Sequence, residues 1–116
     1  MFLPELARVY FVLGETDMRK GINGLSMLVA SHEKLDVLDG SLFVFCSRNR
    51  KTIKALYWDR NGLVLFQKKL EKEVFLWPKK SVQILEMSLK ELRWLLDGLN
   101  PVSTQGHKKL KYTSIT

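Results

Sequence analysis

The sequence predicts a single α+β domain: an antiparallel β-meander sheet with one helix after the first strand and a second near the C-terminus. Three observations carry this. Apolar runs at 41–46, 52–58 and 63–70 are short, rich in β-branched and aromatic residues, and separated by polar turns, as in hairpin-linked strands. Between an earlier such run and the meander, apolar residues recur at helical spacing. Near the C-terminus, Ser88-Leu-Lys-Glu91 forms a capping box ahead of a leucine-rich stretch.

In chain order, Arg8-Val-Tyr-Phe-Val-Leu13 reads as a strand with both faces at least partly covered. Gly14 leads into a helix that Thr16 or Asp17 can cap. Met18, Ile22, Leu25, Leu28 and Val29 make its apolar face, while Arg19, Lys20, Asn23 and Ser26 lie away from it. Gly21 and Gly24 are poor helix formers and imply close backbone packing or weak first turns. The helix should fade near Ser31, and His32 to Gly40 reads as a loop.

The meander follows. Ser41 to Cys46 is one strand, Ser47 to Lys51 a polar turn, and Thr52 to Trp58 the return strand. Asp59 to Gly62 turns again, and Asn61-Gly62 is a strong hairpin signal because both residues tolerate positive φ. Leu63 to Leu70 continues, Glu71 to Glu73 turns, and Val74 to Trp77 closes the meander at Pro78. In the second run Lys51, Ile53, Ala55 and Tyr57 share one face; Thr52, Lys54, Leu56 and Trp58 share the other. Neither face is purely apolar, which predicts one side of the sheet solvated or bound to a partner. Val82 to Met87 reads as a last short strand. Leu89, Leu92, Leu95 and Leu96 form the face of the final helix, with Gly98 at its C′ position. Residues 1–100 are thus expected to form the domain, and residues 101–116 a basic, disordered tail.

At 116 residues and 46% apolar, the chain is long enough to bury a core without disulfides or metals. Its single cysteine, Cys46, lies in an apolar run, where a small buried hydrophobe is expected. The lack of a long apolar stretch and of a signal-peptide pattern gives cytoplasmic location as the expectation.

The net charge of +7 is unevenly placed. Residues 1–47 hold four Lys/Arg against six Asp/Glu; residues 48–80 hold ten against three; residues 81–116 hold five against three. The basic excess therefore sits in the middle third, an arrangement that attracts polyanions better than the same charge spread evenly. The competing explanation is that the lysines solvate strand edges and deter aggregation.

Catalytic constellations are absent from the pattern. A nucleophilic triad needs a histidine beside Ser or Cys, and the chain has only His32 at a helix end and His107 in the tail. One cysteine and two distant histidines give no metal-ligand spacing. Asp17, Asp36, Asp39 and Asp59 each occupy a cap or turn, where aspartate is common for local reasons. Gly14, Gly21 and Gly24 satisfy no nucleotide-binding motif. No enzyme, cofactor or metal is therefore expected.

The basic positions give a better case. Arg19 and Lys20, at an expected helix start, suit a phosphate or carboxylate, because the first helical amides lack partners and the dipole is positive there. The turn Arg48-Asn49-Arg50-Lys51 offers cations at a hairpin tip, where arginine suits bidentate contact with bases or phosphates. Lys54, Arg60, Lys68 and Lys69 would extend that surface. Tyr57, Trp58 and Phe66 lie among them and could stack on unpaired bases; Trp58 and Phe66 read better as core.

Five blocks occur in an order that resembles a known family. They are Thr16-Asp-Met-Arg-Lys-Gly21 with Gly24-Leu25; Gly40-Ser-Leu-Phe-Val-Phe45 with Arg48; Lys54-Ala-Leu-Tyr-Trp-Asp59 with Gly62; Leu70-Glu71; and Phe75-Leu-Trp-Pro78. A final helix, Leu89 to Gly98, fits as well. The chain resembles the TnpB, or Orf2-like, accessory proteins of the insertion-sequence-sixty-six class of bacterial transposons, over about residues 5 to 100. Cys46 departs from the family pattern, which more often has a polar or basic residue there. The resemblance implies a role in DNA transposition without the strand-transfer chemistry, which belongs to the transposase. The expected function is a non-catalytic accessory protein that binds DNA or the transposase–DNA complex through the basic hairpin. The alternative is a protein-interaction module that recruits or stabilises the transposase without touching DNA.

Overall fold

The computed structural model describes residues 8–13, 16–77 and 84–97, and these form five strands and two helices. In chain order they are β1 (Val9–Val12), α1 (Ile22–Ala30), β2 (Leu42–Cys46), β3 (Thr52–Asp59), β4 (Gly62–Lys69), β5 (Ile84–Met87) and α2 (Leu89–Leu96). The strands make one sheet in the order β4-β3-β2-β1-β5. The class is α+β, but the sheet is mixed rather than a pure antiparallel meander. β1 runs parallel to β2, with Val9 opposite Leu42 and Val12 opposite Phe45; the remaining pairs are antiparallel. The cause is α1, which lies between the two strands in the chain. A strand followed by a helix crossing one sheet face returns in the same direction, whereas a tight turn reverses it.

Both faces of the central strands are covered. All five residues of β2 are buried, because successive side chains point to opposite sides and each side has its own core. On one face Val9, Phe11, Leu42, Val44, Ile53 and Ala55 pack with Phe75, Trp77 and the α2 residues Leu92 and Leu95. On the other, Val12, Phe43, Phe45 and Leu56 pack with Leu25 and Val29 of α1. Burying each Phe or Leu contributes about 1.5–3 kcal/mol. The expected solvated or partner-bound face of the sheet is therefore filled by the chain's own helices over these central strands.

Local expectations meet varied outcomes. Ser88 and Glu91 form the capping box, with Glu91 N–H donating to Ser88 Oγ and Ser88 N–H to Glu91 Oε1. The first helix starts later than expected, at Ile22, with Gly21 as N-cap in extended conformation and no side-chain cap. Val74 to Trp77 is not a strand. Its N–H at Phe75 donates to the Arg50 carbonyl (2.7 Å) instead of joining a ladder. It keeps a strand-like alternation, however, with Phe75 at 1% and Trp77 at 6% exposure between the exposed Val74 and Leu76. Trp77 stacks on Phe11, ring centroids 5.0 Å apart.

The second hairpin turns one residue earlier than Asn61-Gly62 suggests. Asp59 pairs with Gly62, so Arg60 and Asn61 form the loop. Arg60 takes the positive φ, 55°, and the Asn61 N–H donates to the Asp59 carbonyl. Gly14, Val82, Gln83, Gly98 and the tail 101–116 lie outside the described residues.

Cys46 is buried at the end of β2, and burial pushes its thiol from 9.0 up to about 11. The unfolded chain ionises first as pH rises, so this contribution to stability is complete below pH 9 and is lost between pH 9 and about 11. Denaturant midpoints should therefore fall more steeply over that interval for the natural chain than for Cys46→Ala; parallel curves would show that the thiol does not contribute.

Candidate nucleic-acid interface

Residues 16–21 form a pinned corner rather than the first turn of a helix. Thr16 is buried at 7% exposure, and its N–H donates to the Cys46 carbonyl at the end of β2 (3.4 Å). The Asp17 carbonyl accepts the Lys20 N–H (3.0 Å), and Asp17 Oδ1 accepts the Arg19 N–H (2.9 Å). The Arg19 guanidinium also clasps the carboxylate, Nε to Oδ1 at 3.0 Å and Nη2 to Oδ2 at 2.8 Å. That grip holds the Asp17 carboxyl well below the usual carboxylate range. Asp17 thus closes the turn that precedes α1, which is why it does not cap the helix.

Lys54 fastens this corner to the sheet. It is only 7% exposed, and its Nζ donates to the carbonyls of Met18 (2.7 Å) and Lys20 (2.9 Å). The sequence pattern places Lys54 with the hairpin contacts, but its position on the α1 face of β3 turns the ammonium inward. Two carbonyls converging on a buried ammonium satisfy it without an acid, because carbonyl dipoles oriented at a cation offset part of its lost hydration. Above the corner, the Lys20 stem lies over Gly24, where an added Cβ would meet Lys20 Cβ and Cγ at 3.2 Å. The glycine in the helix therefore serves close packing.

The turn at 47–51 is equally ordered. Asn49 Oδ1 accepts from Ser47 Oγ (2.8 Å) and from the Lys51 N–H (3.0 Å). The Thr52 N–H returns to Ser47 Oγ (3.1 Å). Arg50, at φ 65°, faces the protein: its Nη1 donates to the Trp77 carbonyl (3.0 Å) while its own carbonyl accepts Phe75 N–H. The segment carrying Phe75 and Trp77 is thereby strapped to the turn. Arg48 is exposed and Lys51 is half-buried.

The remaining cations divide between ends and faces. Lys68 projects to the α2 face, where its Nζ donates to the Leu96 carbonyl (3.0 Å) at the negative end of that helix. Lys69, opposite Thr52, is exposed beside the ordered turn. Arg60 is exposed at the other end of the β3–β4 hairpin, roughly 23 Å away at the usual rise per strand residue. The fold thus gathers Arg19, Lys20, Arg48, Lys51 and Lys69 at one end of the sheet, turns Arg50, Lys54 and Lys68 onto backbone carbonyls, and separates Arg60. Lys72, which no motif marks, belongs to the same basic end. It is exposed two residues after Leu70, whose N–H donates to the Lys51 carbonyl (2.8 Å). Its signal in the sequence is its place in the turn that crosses that end.

Among the described residues, no group of three or more His, Cys, Asp or Glu side chains is placed to hold a metal ion. A cavity of about 430 Å³ is lined by Tyr10, His32, Glu33, Lys34, Leu35 and Ile84. No helix of the described residues is long and apolar enough to cross a membrane.

Comparison with known proteins supplies context. The family profile described as IS66 Orf2 like protein matches residues 7–106. The uncharacterized protein y4hO of Sinorhizobium fredii (strain NBRC 101917 / NGR234) is 38% identical over 93 residues, covering 80% of this chain and 81% of its own. A second protein of that strain, y4jC, is 34% identical over 93 residues, 80% of each chain. No solved structure matches the chain.

Proposed function

The chain belongs to the IS66 Orf2-like family of transposon accessory proteins, and from that premise we propose that it contacts DNA phosphates through the basic end of its sheet. The observation that carries this reading is the gathering of Arg19, Lys20, Arg48, Lys51 and Lys69 from three separate segments to one end, where the backbone of both loops is fixed by internal hydrogen bonds. A rigid cationic surface suits a duplex because its charges need little reordering on binding. Arg48 and Lys51 are the central contacts, Arg19 and Lys20 a flank, and Arg60 lies outside the footprint. The protein supplies positioning and no chemistry.

Phosphate contact has a thermodynamic signature. Each neutralised phosphate releases counterions, so the logarithm of affinity falls with the logarithm of salt by about 0.9 per contact on duplex DNA. Fluorescence anisotropy with transposon-end DNA should give a steep salt slope, and Arg48→Ala with Lys51→Ala should reduce it by roughly two. Asp17→Asn, which frees Arg19 from its carboxylate, should tighten binding at low salt. If no DNA is bound at low salt, the transposase-recruiting module becomes the better reading. Met27 and Leu38, exposed at 72% and 53%, are the apolar side chains that favour it.

A further inference from the structure

Among the described residues, no strand pairs with the outer side of β4. The Leu70 N–H donates to the Lys51 carbonyl, which fixes the phase of the β3–β4 ladder. In an antiparallel pair, hydrogen-bonded and non-hydrogen-bonded residues alternate. Gly62, Val64, Phe66 and Lys68 therefore bond to β3, while Leu63, Leu65, Gln67 and Lys69 direct their N–H and C=O groups outward. β4 is an edge strand of the described sheet, eight residues long. Its apolar half, Leu63 to Phe66, is only partly buried. Such an edge is a template for another strand.

We propose that the β4 edge pairs with the β4 edge of a second copy of this chain, antiparallel about a two-fold axis through Leu65, joining two sheets into one. The sequence of the strand is self-complementary in that register. Leu65 meets Leu65 of the second copy, and Leu63 meets Gln67, all residues whose amides point outward, giving about six new backbone hydrogen bonds. The half-buried Leu63 and Leu65 lie on the α1 face, beside the core that holds Leu56 and Phe45, and each copy extends that apolar surface to the other. Lys68, whose Nζ is held by the Leu96 carbonyl of its own chain, falls opposite Gly62 of the second copy, where no side chain obstructs it. The antiparallel arrangement sends the two Lys68-Lys69 pairs to opposite ends of the junction, so they do not face each other, and Lys69 falls opposite Asn61 of the second copy.

Sedimentation equilibrium of the full chain at tens of micromolar tests the inference together with two variants. The natural chain is expected at twice its 13.5 kDa mass. Leu65→Cys on a Cys46→Ala background should crosslink to itself with a short bis-maleimide, and Asn61→Cys on that background should not. Gln67→Pro removes an outward N–H and leaves the β3 ladder intact, so it should give a folded monomer with an unchanged circular dichroism spectrum. A monomeric natural chain overturns the inference, whether or not DNA binding is found. So does a dimer that persists in Gln67→Pro without crosslinking at position 65. If Gln67→Pro fails to fold, the crosslinking pair decides alone.

Discussion

Replacing Lys54 with methionine is expected to lower the melting temperature by on the order of 10 °C. The side chain is 7% exposed and its Nζ bonds to the carbonyls of Met18 and Lys20. Methionine matches the stem and removes the cost of keeping an ammonium out of water. It also orphans two carbonyls and releases the corner from β3. Hydrogen bonds to a charged donor contribute about 1.5–3 kcal/mol each, and part of that is recovered where the Lys20 carbonyl can turn to solvent. The net loss is about 2–3 kcal/mol, which at this chain length gives the stated shift. Thermal melts followed by circular dichroism check it. A surface lysine serving only DNA would behave oppositely, losing affinity at an unchanged melting temperature. Loss of the corner should also weaken DNA binding indirectly, because Arg19 and Lys20 depend on it for position.

Phe75→Ala should cost still more, about 3–4 kcal/mol. Phe75 is 1% exposed in a segment with no ladder of its own, so its ring and its single N–H bond to Arg50 hold that segment in place. Truncation leaves a cavity against the α2 face and loosens Trp77, which stacks on Phe11 and whose carbonyl anchors the Arg50 guanidinium. A domain of this size has only about 5–15 kcal/mol of stability to lose. Urea titration should show the drop in midpoint, and native-state tryptophan emission should shift to the red as Trp77 becomes wetter. A small midpoint change with unshifted emission would mean that the strap is held chiefly by its backbone bonds.

Local signals in the sequence suffice where one interaction decides the outcome. The Ser88–Glu91 box and the runs that became β2, β3 and β4 lie within a residue or two of their expected bounds. Features that depend on distant partners were not legible in the same way. The parallel pairing of β1 with β2 follows from a helix crossing between them, and the order strand, helix, strand was the available signal. Alternation at Val74 to Trp77 identified which residues are buried but could not say that Arg50 would supply the hydrogen-bond partner. Arg60 took positive φ although Asn61-Gly62 stood beside it, because Asp59 pairs with Gly62 and that places the turn one residue earlier.

The candidate site shows the same division. A motif can announce cations, but it cannot say which ones point out. Arg50 and Lys54 sit four residues apart in the basic hairpin, and both are drawn into the protein by carbonyls from segments 27 to 36 residues away. Lys68 and Lys69 are adjacent and face opposite ways, one to the end of α2 and one to solvent. Thr16 to Gly21 forms a turn ahead of α1 whose Met18 and Lys20 carbonyls close around the Lys54 ammonium, while Arg19 and Lys20 are exposed on it.

The most direct test of DNA contact through this end is an amide chemical-shift map of the labelled protein titrated with a short transposon-end duplex. Perturbations are expected to concentrate at Arg19, Lys20, Arg48, Lys51 and Lys69, with the Arg60 turn silent. Perturbations centred on the Arg60 turn or on the outer face of α1, or none at low salt, would contradict it.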